Sequence, residues 1–451
     1  MLSVVELEHG ADDDLVERAS SIDMMELASD VGPVSLQVGA ILVFAPGTNL
    51  AASGVRDALA DRIRGISRLR QRLVSTPLGC GRPVWVDDPE FDITRHVHDV
   101  RCPPPGDEEA LLRVAAGAVT HPLPPDQPLW SATLVTGLEG DACALIVVFH
   151  HVLADGMGGL AVLANLVDGV AGPPPTAFPR RKPSWRRLAQ DAAVGRLHTL
   201  AHVTRVPARL RDALGELRPG ANPRAPRCSL NRPVGSGRRF GVARADLARL
   251  RSVGHDHGGT VNDVVLAAVS EALNSLLARR GERVDHVVVS VPVSGRTEAT
   301  VAQLGNQVGV IPVTLSTSGR PLDRLASIAD ATREHKTGTR GASAALLAPV
   351  FRVLSTLGAL RWLIERQHLV TTFVTNLRGP DAPVSFLGSI VSEVVPLNAV
   401  TGNVAVAFAV LSYAGTLTVT VTVDVDSAPD SGILVDALQD ELDALTSRID
   451  T

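Results

Sequence analysis

The heptapeptide HHVLADG at residues 150–156 follows an apolar run at residues 142–149 and precedes a segment of small and apolar residues at 157–166. This order predicts a β-strand that ends at two histidines, a turn through an aspartate and a glycine, and then an α-helix. A turn of this kind can hold one imidazole at the mouth of a pocket. Because histidine readily accepts and returns a proton near neutral pH, the pattern indicates an enzyme whose general base is His150 or His151.

The two histidines are not expected to share one function, because neighbouring residues on a strand point to opposite faces. We expect one to act on the substrate and the other to be structural. The same geometry weighs against a metal site: His150, His151 and Asp155 have ligand chemistry, but adjacent imidazoles rarely converge on one ion. No metal is therefore expected. The alternative is that both histidines are structural, and the Asp and Gly that shape the turn make this alternative less favoured.

A second interpretation of the same region is a dinucleotide site, because residues 156–161 match the pattern GxGxxA. The context does not fit this interpretation. Six residues separate the end of the strand from the first glycine, whereas the fingerprint requires an immediate tight turn. The chain also lacks the GxSxG, P-loop and HExxH motifs, so no serine hydrolase, P-loop or zinc-protease chemistry is expected.

The bulk composition sets the class of protein. The chain has 451 residues, enough for two hydrophobic cores. A net charge of −5 and an aromatic content of 3% favour neither a polyanionic partner nor base stacking, so no nucleic acid is expected. The four cysteines lack CxxC spacing and are expected to be free thiols. The acidic N-terminus does not resemble a signal peptide, and no apolar stretch has transmembrane length without interruption, which together predict a cytoplasmic protein.

Strand and helix patterns alternate on both sides of a basic segment. Residues 180–239 contain fifteen Lys or Arg residues and three acidic residues, a net charge of +12, and proline clusters flank a helical pattern at 185–217. We therefore predict an N-terminal lobe at 1–179, a basic helical connector at 180–238 and a C-terminal lobe at 239–451. The connector is either a solvated linker or a surface for CoA phosphates or anionic lipid head groups.

Several motifs occur in an order that resembles the bacterial wax ester synthase/acyl-CoA:diacylglycerol acyltransferase family, within the chloramphenicol acetyltransferase and condensation-domain superfamily. The resemblance covers nearly the whole chain. It rests on QVGA at 37–40, RLRQRL at 68–73, FDI at 91–93 with His96, PLW at 128–130, HHxxxDG at 150–156, NDVVL at 262–266, LGN at 304–306, Asn376 with Gly379-Pro380, and Ser412-Tyr413. The chain departs from the family at 124–127, where PPDQ stands in place of an Asp-Arg pair.

The resemblance implies an α/β fold of two chloramphenicol acetyltransferase-like lobes in a V-shaped pseudo-dimer, with the active site at their junction. It implies that His151 is the catalytic base and that His150 and Asp155 organise the turn. Arg296 is the candidate partner of Asp155 across the junction, with an exposed loop charge as the equal alternative. Backbone N–H groups near Gly156 are candidate oxyanion donors.

The resemblance also implies residues on the substrate side. These candidates are Asn262, Asp263, Trp130 and Asn306. For Asn262 a helix cap is the more favoured alternative, and for Trp130 core packing is more favoured than substrate contact. Thr260 and Asp263 are expected to form a capping box at the start of the helix.

The predicted activity is O-acyl transfer from a long-chain acyl-CoA to a diacylglycerol or a long-chain alcohol. Acyl-CoA is a substrate, and no cofactor is expected. Two alternatives remain: an acyltransferase or condensation-type enzyme of natural-product assembly that uses a carrier-protein donor, and a non-catalytic member that binds acyl-CoA or lipid. Peripheral contact with the inner membrane face or with lipid droplets is a further expectation.

Overall fold

The computed structural model describes residues 16–30, 32–154, 156–170, 174, 177–201, 224–294, 308–336 and 359–447. Statements about structure refer to these residues. The first part of the chain contains, in order, α1 (Ser21–Ser29), β1 (Gln37–Phe44), α2 (Ala52–Arg62), β2 (Gln71–Val74), β3 (Val84–Asp87), β4 (Val97–Arg101), α3 (Glu108–Thr120), β5 (Trp130–Leu138), β6 (Ala142–His150), α4 (Gly156–Asn165) and α5 (Trp185–Ala201).

The second part of the chain begins with a strand and a pair of helices. It contains β7 (Arg238–Asp246), α6 (Leu247–Asp256), α7 (Val261–Arg279), β8 (His286–Ser294), β9 (Val308–Ser316), α8 (Pro321–Lys336), α9 (Ala359–Ile364), β10 (Thr372–Arg378), β11 (Ser385–Phe386), β12 (Ser389–Leu397), β13 (Val406–Tyr413), β14 (Thr416–Asp424) and α10 (Ser431–Ser447). The expected α/β architecture with two sheet-based lobes is confirmed.

The described strands form two six-stranded sheets and a small hairpin. The first sheet has the order β11-β12-β1-β6-β5-β4, and the second has the order β7-β14-β13-β10-β8-β9. Strand β12 therefore leaves the second part of the chain and pairs antiparallel with β1, from Gly39–Leu397 to Phe44–Val391. The predicted lobes at 1–179 and 239–451 assign β11 and β12 to the C-terminal lobe. In the structure, both strands belong to the first sheet, together with β1.

Aliphatic side chains fill the core on both faces of the first sheet. One face packs on α2, through Val55 and Leu59, and on the turn after β6. The other face packs on α3, whose buried residues Leu111 and Leu112 lie in the same cluster as Phe240 of β7. Helix α3 therefore lies between the two sheets, and the lobes share part of their hydrophobic core.

The second sheet is covered by helices α6, α7 and α10. Helix α7 begins at a capping box in which Thr260 and Asp263 bond reciprocally, as the sequence predicts. By length and composition α7 is also the one described helix that could cross a membrane, but 67% of its apolar window is buried inside the protein. Its side chains lie in the core of the second lobe, so its hydrophobicity is explained by packing.

A cluster of charged side chains joins the two lobes through β7, α3 and β12. Arg244 of β7 bonds to Glu108 of α3 and, at 2.7 Å, to Glu393 of β12. Burial disfavours the charged guanidinium, but the hydrogen bonds that Arg244 donates to Glu393 and Glu108 outweigh this effect and raise the pKa of Arg244. Arg244 therefore stays charged and links three elements from both lobes.

The connector is in part attached to the N-terminal lobe. Leu188 of α5 is buried with Val84 and Val86 of the hairpin, and Arg18 forms an ion pair with Asp191 at 2.5 Å. Residues 202–223, the second part of the predicted connector helix, lie outside the described residues.

Candidate active site

Hydrogen bonds of both the backbone and the ring hold the first histidine of the motif at the end of β6. The backbone N–H of His150 donates to Leu129 at 2.9 Å. Its ring Nδ1 accepts from the backbone N–H of Val152 at 3.1 Å, so the ring proton belongs on Nε2, which lies 3.0 Å from the Asp30 carboxylate. His150 is 5% exposed. This arrangement fixes the turn and leaves His150 little access to a substrate.

The second histidine lies just beyond the strand, where the backbone turns. The N–H of His151 donates to the carbonyl of Leu36 at 2.8 Å, which continues the β1–β6 pairing by one residue. The side chain is 26% exposed, and its Nδ1 lies 3.5 Å from the Glu26 carboxylate. Of the two adjacent histidines, His151 is therefore the one whose ring reaches solvent-accessible space.

One short helix supplies both carboxylates that face the histidines. Glu26 and Asp30 are four residues apart, at α1 and its C-terminal cap, and such residues share a helix face. The helix is started by a capping box between Ser20 and Asp23. Neither this helix nor its carboxylates are among the features predicted from the sequence. The capping box followed by an acid at each of these two positions was the available signal.

The turn after β6 lies where the two lobes meet. A Cβ added to Gly156, at the start of α4, would lie 3.2 Å from the side chain of Leu377 and 3.5 Å from that of Thr375, both on β10 of the second sheet. Helix α1 likewise packs against α9, and Thr401 bonds to its Ser29 carbonyl at 3.4 Å. The motif is thus at the lobe junction, as the sequence predicts.

A pair of asparagines lies on the other face of β10. Asn262, at the start of α7, accepts a hydrogen bond from Asn376 of β10 at 3.2 Å through its Oδ1. Both side chains are half-buried. Asn262 is therefore not the N-cap of α7, since that position belongs to Thr260, and its amide is fixed by β10.

Two residues predicted on the substrate side have structural positions instead. Asp263 is 2% exposed, and its carboxylate accepts hydrogen bonds from the backbone and hydroxyl of Thr260 and from the hydroxyl of Thr332. The geometry assigns Asp263 to the cap of α7 and gives no support to direct contact with a substrate.

Trp130 is the second such residue. It is 3% exposed, its Nε1 donates to the Leu69 carbonyl at 2.8 Å, and its ring stacks on His96 with a centroid distance of 4.7 Å. Burial lowers the pKa of His96 despite the hydrogen bond between its ring and the Trp130 carbonyl. These contacts fit core packing, the alternative favoured for Trp130 from the sequence.

Family models match both parts of the chain. The wax ester synthase/diacylglycerol acyltransferase catalytic domain matches residues 19–265, and the C-terminal domain of the same family matches residues 304–446.

The chain belongs to this family.

The predicted family and the predicted acyltransferase class of enzyme are thereby confirmed. Two relatives, from Mycobacterium bovis and Mycobacterium tuberculosis, are each 31% identical over 434 residues, which is 92% of this chain and 92% of each relative. Both are named for a diacylglycerol O-acyltransferase.

Solved structures share the fold. A wax ester synthase/diacylglycerol acyltransferase from Marinobacter aquaeolei VT8 is 24% identical with a TM-score of 0.69, over 96% of this chain and all of the other. The first condensation domain of the calcium-dependent antibiotic synthetase has a TM-score of 0.63 at 19% identity, over 97% of each chain. The likeness places this family member in the condensation-domain type of fold.

Three predicted site residues lie outside the described residues: Asp155, Arg296 and Asn306. The predicted pairing of Asp155 with Arg296 and the predicted substrate contact of Asn306 stay predictions. In the described part of the chain, no three His, Cys, Asp or Glu side chains cluster as a metal site would require. The four cysteines, all of them described, are unpaired thiols.

Proposed function

We propose that this enzyme transfers a long-chain acyl group from acyl-CoA to the hydroxyl of a diacylglycerol or a long-chain alcohol, with His151 as the general base. The observation that carries the proposal is the position of the His151 ring, half-buried at the lobe junction beside α4, in a member of an acyltransferase family. Junctions between lobes are where pockets preferentially form.

The proposed reaction needs one base and one set of oxyanion donors. His151 removes the hydroxyl proton while the oxygen attacks the thioester carbonyl, and the tetrahedral intermediate then expels the CoA thiolate. The imidazolium returns the proton to that sulfur, so the products are an ester and free CoA. The thioester is already activated, and we therefore propose neither a metal nor a cofactor.

Two groups are candidates for stabilising the oxyanion. The first is the backbone at the start of α4, where N–H groups at a helix N-terminus favour negative charge. The second is the amide of Asn262, because its oxygen accepts from Asn376 and its amino group is the donor that remains for a ligand. The two candidates lie on opposite faces of β10: the start of α4 meets Leu377 and Thr375, whereas Asn262 bonds Asn376.

The direct test is incubation of the purified enzyme with long-chain acyl-CoA and a panel of alcohols and diacylglycerols, read by lipid mass spectrometry. We expect wax esters or triacylglycerols to form together with stoichiometric free CoA. Product from an acyl carrier protein but not from acyl-CoA would instead support the condensation-type alternative. Saturable acyl-CoA binding without any product would support a non-catalytic member.

We also propose that α5 contacts an anionic lipid surface. Leu188 and Ala192 bury one side of this helix, while Trp185, Val194 and Leu197 are 62%, 54% and 66% exposed. Exposed arginines lie beside these apolar side chains, at positions 186 and 187. Apolar residues flanked by basic ones are typical of helices that lie in the membrane interface.

The lipid contact predicts a specific loss of vesicle binding. Because each apolar side chain transferred into lipid contributes about 1.5–3 kcal/mol, Trp185→Ser with Leu197→Ser should weaken binding to phosphatidylglycerol vesicles at least about 10-fold in a sedimentation assay. Trp362→Ser is the matched control, since Trp362 is 60% exposed on α9. Equal binding by the double variant and the wild type would contradict this use of α5.

A further inference from the structure

Two imidazole–carboxylate pairs lie side by side at the lobe junction, and their rings differ in exposure. In the pair of His150 and Asp30, the second ring nitrogen is used by the backbone N–H of Val152. In the pair of His151 and Glu26, the carboxylate faces Nδ1 of a ring that is 26% exposed. Both nitrogens of the His150 ring therefore have partners inside the protein. The His151 ring is partly exposed, and the Glu26 carboxylate faces its Nδ1.

We propose that Glu26 is the positioning residue for His151, an inference that rests on the proposed function. A carboxylate at Nδ1 favours the tautomer that carries its proton there, which leaves Nε2 as the basic nitrogen. When Nε2 takes the proton of the acceptor hydroxyl, the ring becomes a cation, and the Glu26 charge stabilises it. Glu26 thus acts on the reaction through His151 and need not touch the substrate.

The local environment suits this role. The Glu26 side chain is 18% exposed, and Nδ1 of His151 has no solvent contact, so water screens their interaction little. The separation of 3.5 Å between Nδ1 and Oε2 is longer than a good hydrogen bond. Hydrogen bonds of catalytic groups are often long without substrate and shorten in the complex. Helix α1, which carries Glu26, packs against α9 of the second lobe, so both lobes position this helix.

The kinetic test compares Glu26→Gln, Glu26→Ala and Glu26→Asp in the acyl-transfer assay. Glu26→Gln keeps the shape but removes the charge, and it should lower kcat about 10- to 100-fold, a share of what a general base contributes, with little change in KM. Glu26→Ala should lower kcat further, and Glu26→Asp should restore part of the rate. Glu365→Gln is the matched control: Glu365 is 20% exposed and paired with Arg361, and its variant should keep wild-type kcat.

A structural measurement tests the same proposal without turnover. In protein labelled with ¹⁵N-histidine, with the His151 signals assigned by their loss in His151→Gln, we expect Nδ1 of His151 to carry the proton in the wild type and both tautomers to be populated in Glu26→Ala. Wild-type kcat and an unchanged tautomer in the Glu26 variants would overturn the proposal. Absence of any acyl transfer by the wild-type enzyme would reject the proposed function, and the tautomer of Glu26→Ala would still decide the role of Glu26.

Discussion

Replacement of His151 by alanine should lower the rate of acyl transfer about 10²- to 10⁴-fold, the range that a positioned general base supplies. The fold should survive, because the bond from the His151 backbone to Leu36 does not involve the side chain and the ring is partly exposed. The measurement is kcat with labelled acyl-CoA, together with circular dichroism and the thermal midpoint.

Two other histidines serve as controls for this variant. His98 is exposed on β4, and His98→Ala should keep wild-type activity and stability. His150 is buried and bonded at both ring nitrogens, so His150→Ala should lower the thermal midpoint as well as activity, since it leaves the buried N–H of Val152 without its partner. Wild-type transfer by a folded His151→Ala protein would refute the proposed base.

Replacement of Gly39 by alanine should remove most of the folded protein. A Cβ at this position in β1 would lie 2.0 Å from the carbonyl oxygen of Val147, a backbone atom of β6 that cannot move without breaking the ladder. Because β1 pairs with both β6 and β12, we expect a loss of about 4 kcal/mol or more of the free energy of unfolding, the size that marks severe defects. Soluble yield and the thermal midpoint would report it.

Gly54→Ala is the matched control for the glycine variant. Gly54 lies within α2, and a Cβ there would meet nothing within 4 Å. Alanine should stabilise this helix by about 0.5–1 kcal/mol relative to glycine. A Gly39→Ala protein as stable as the wild type would mean that the β1–β6 spacing is not fixed by this glycine.

The sequence predicted β6 and the start of α7 because an apolar run marks the strand and a capping box marks the helix. Strand β6 ends at His150, one residue beyond the predicted end, and α7 begins at the predicted capping box. No pattern described above predicts the short elements α1, β2, β3, β4, β11 and α9. They pack through few side chains each, so local periodicity carries little signal for them.

Only the part of the site that the motif at residues 150–156 supplies was predictable from the sequence. The division of labour between His150 and His151 follows from strand geometry and from the family resemblance, and the structure places the two rings differently, as expected. The positions of Glu26 and Asp30 depend on how α1 docks across the turn, which no local pattern encodes. Trp130, which belongs to the PLW motif, packs in the core, the alternative favoured from the sequence.

One continuous segment supplies the two strands β11 and β12 at one edge of the first sheet and then the inner strands β13 and β14 of the second. Separation of the lobes would therefore require the loss of the six residue pairs between β1 and β12. A C-terminal truncation before residue 389 would expose the edge of β1, and bare strand edges recruit other chains and aggregate. The halves are consequently expected to fail as independently expressed fragments.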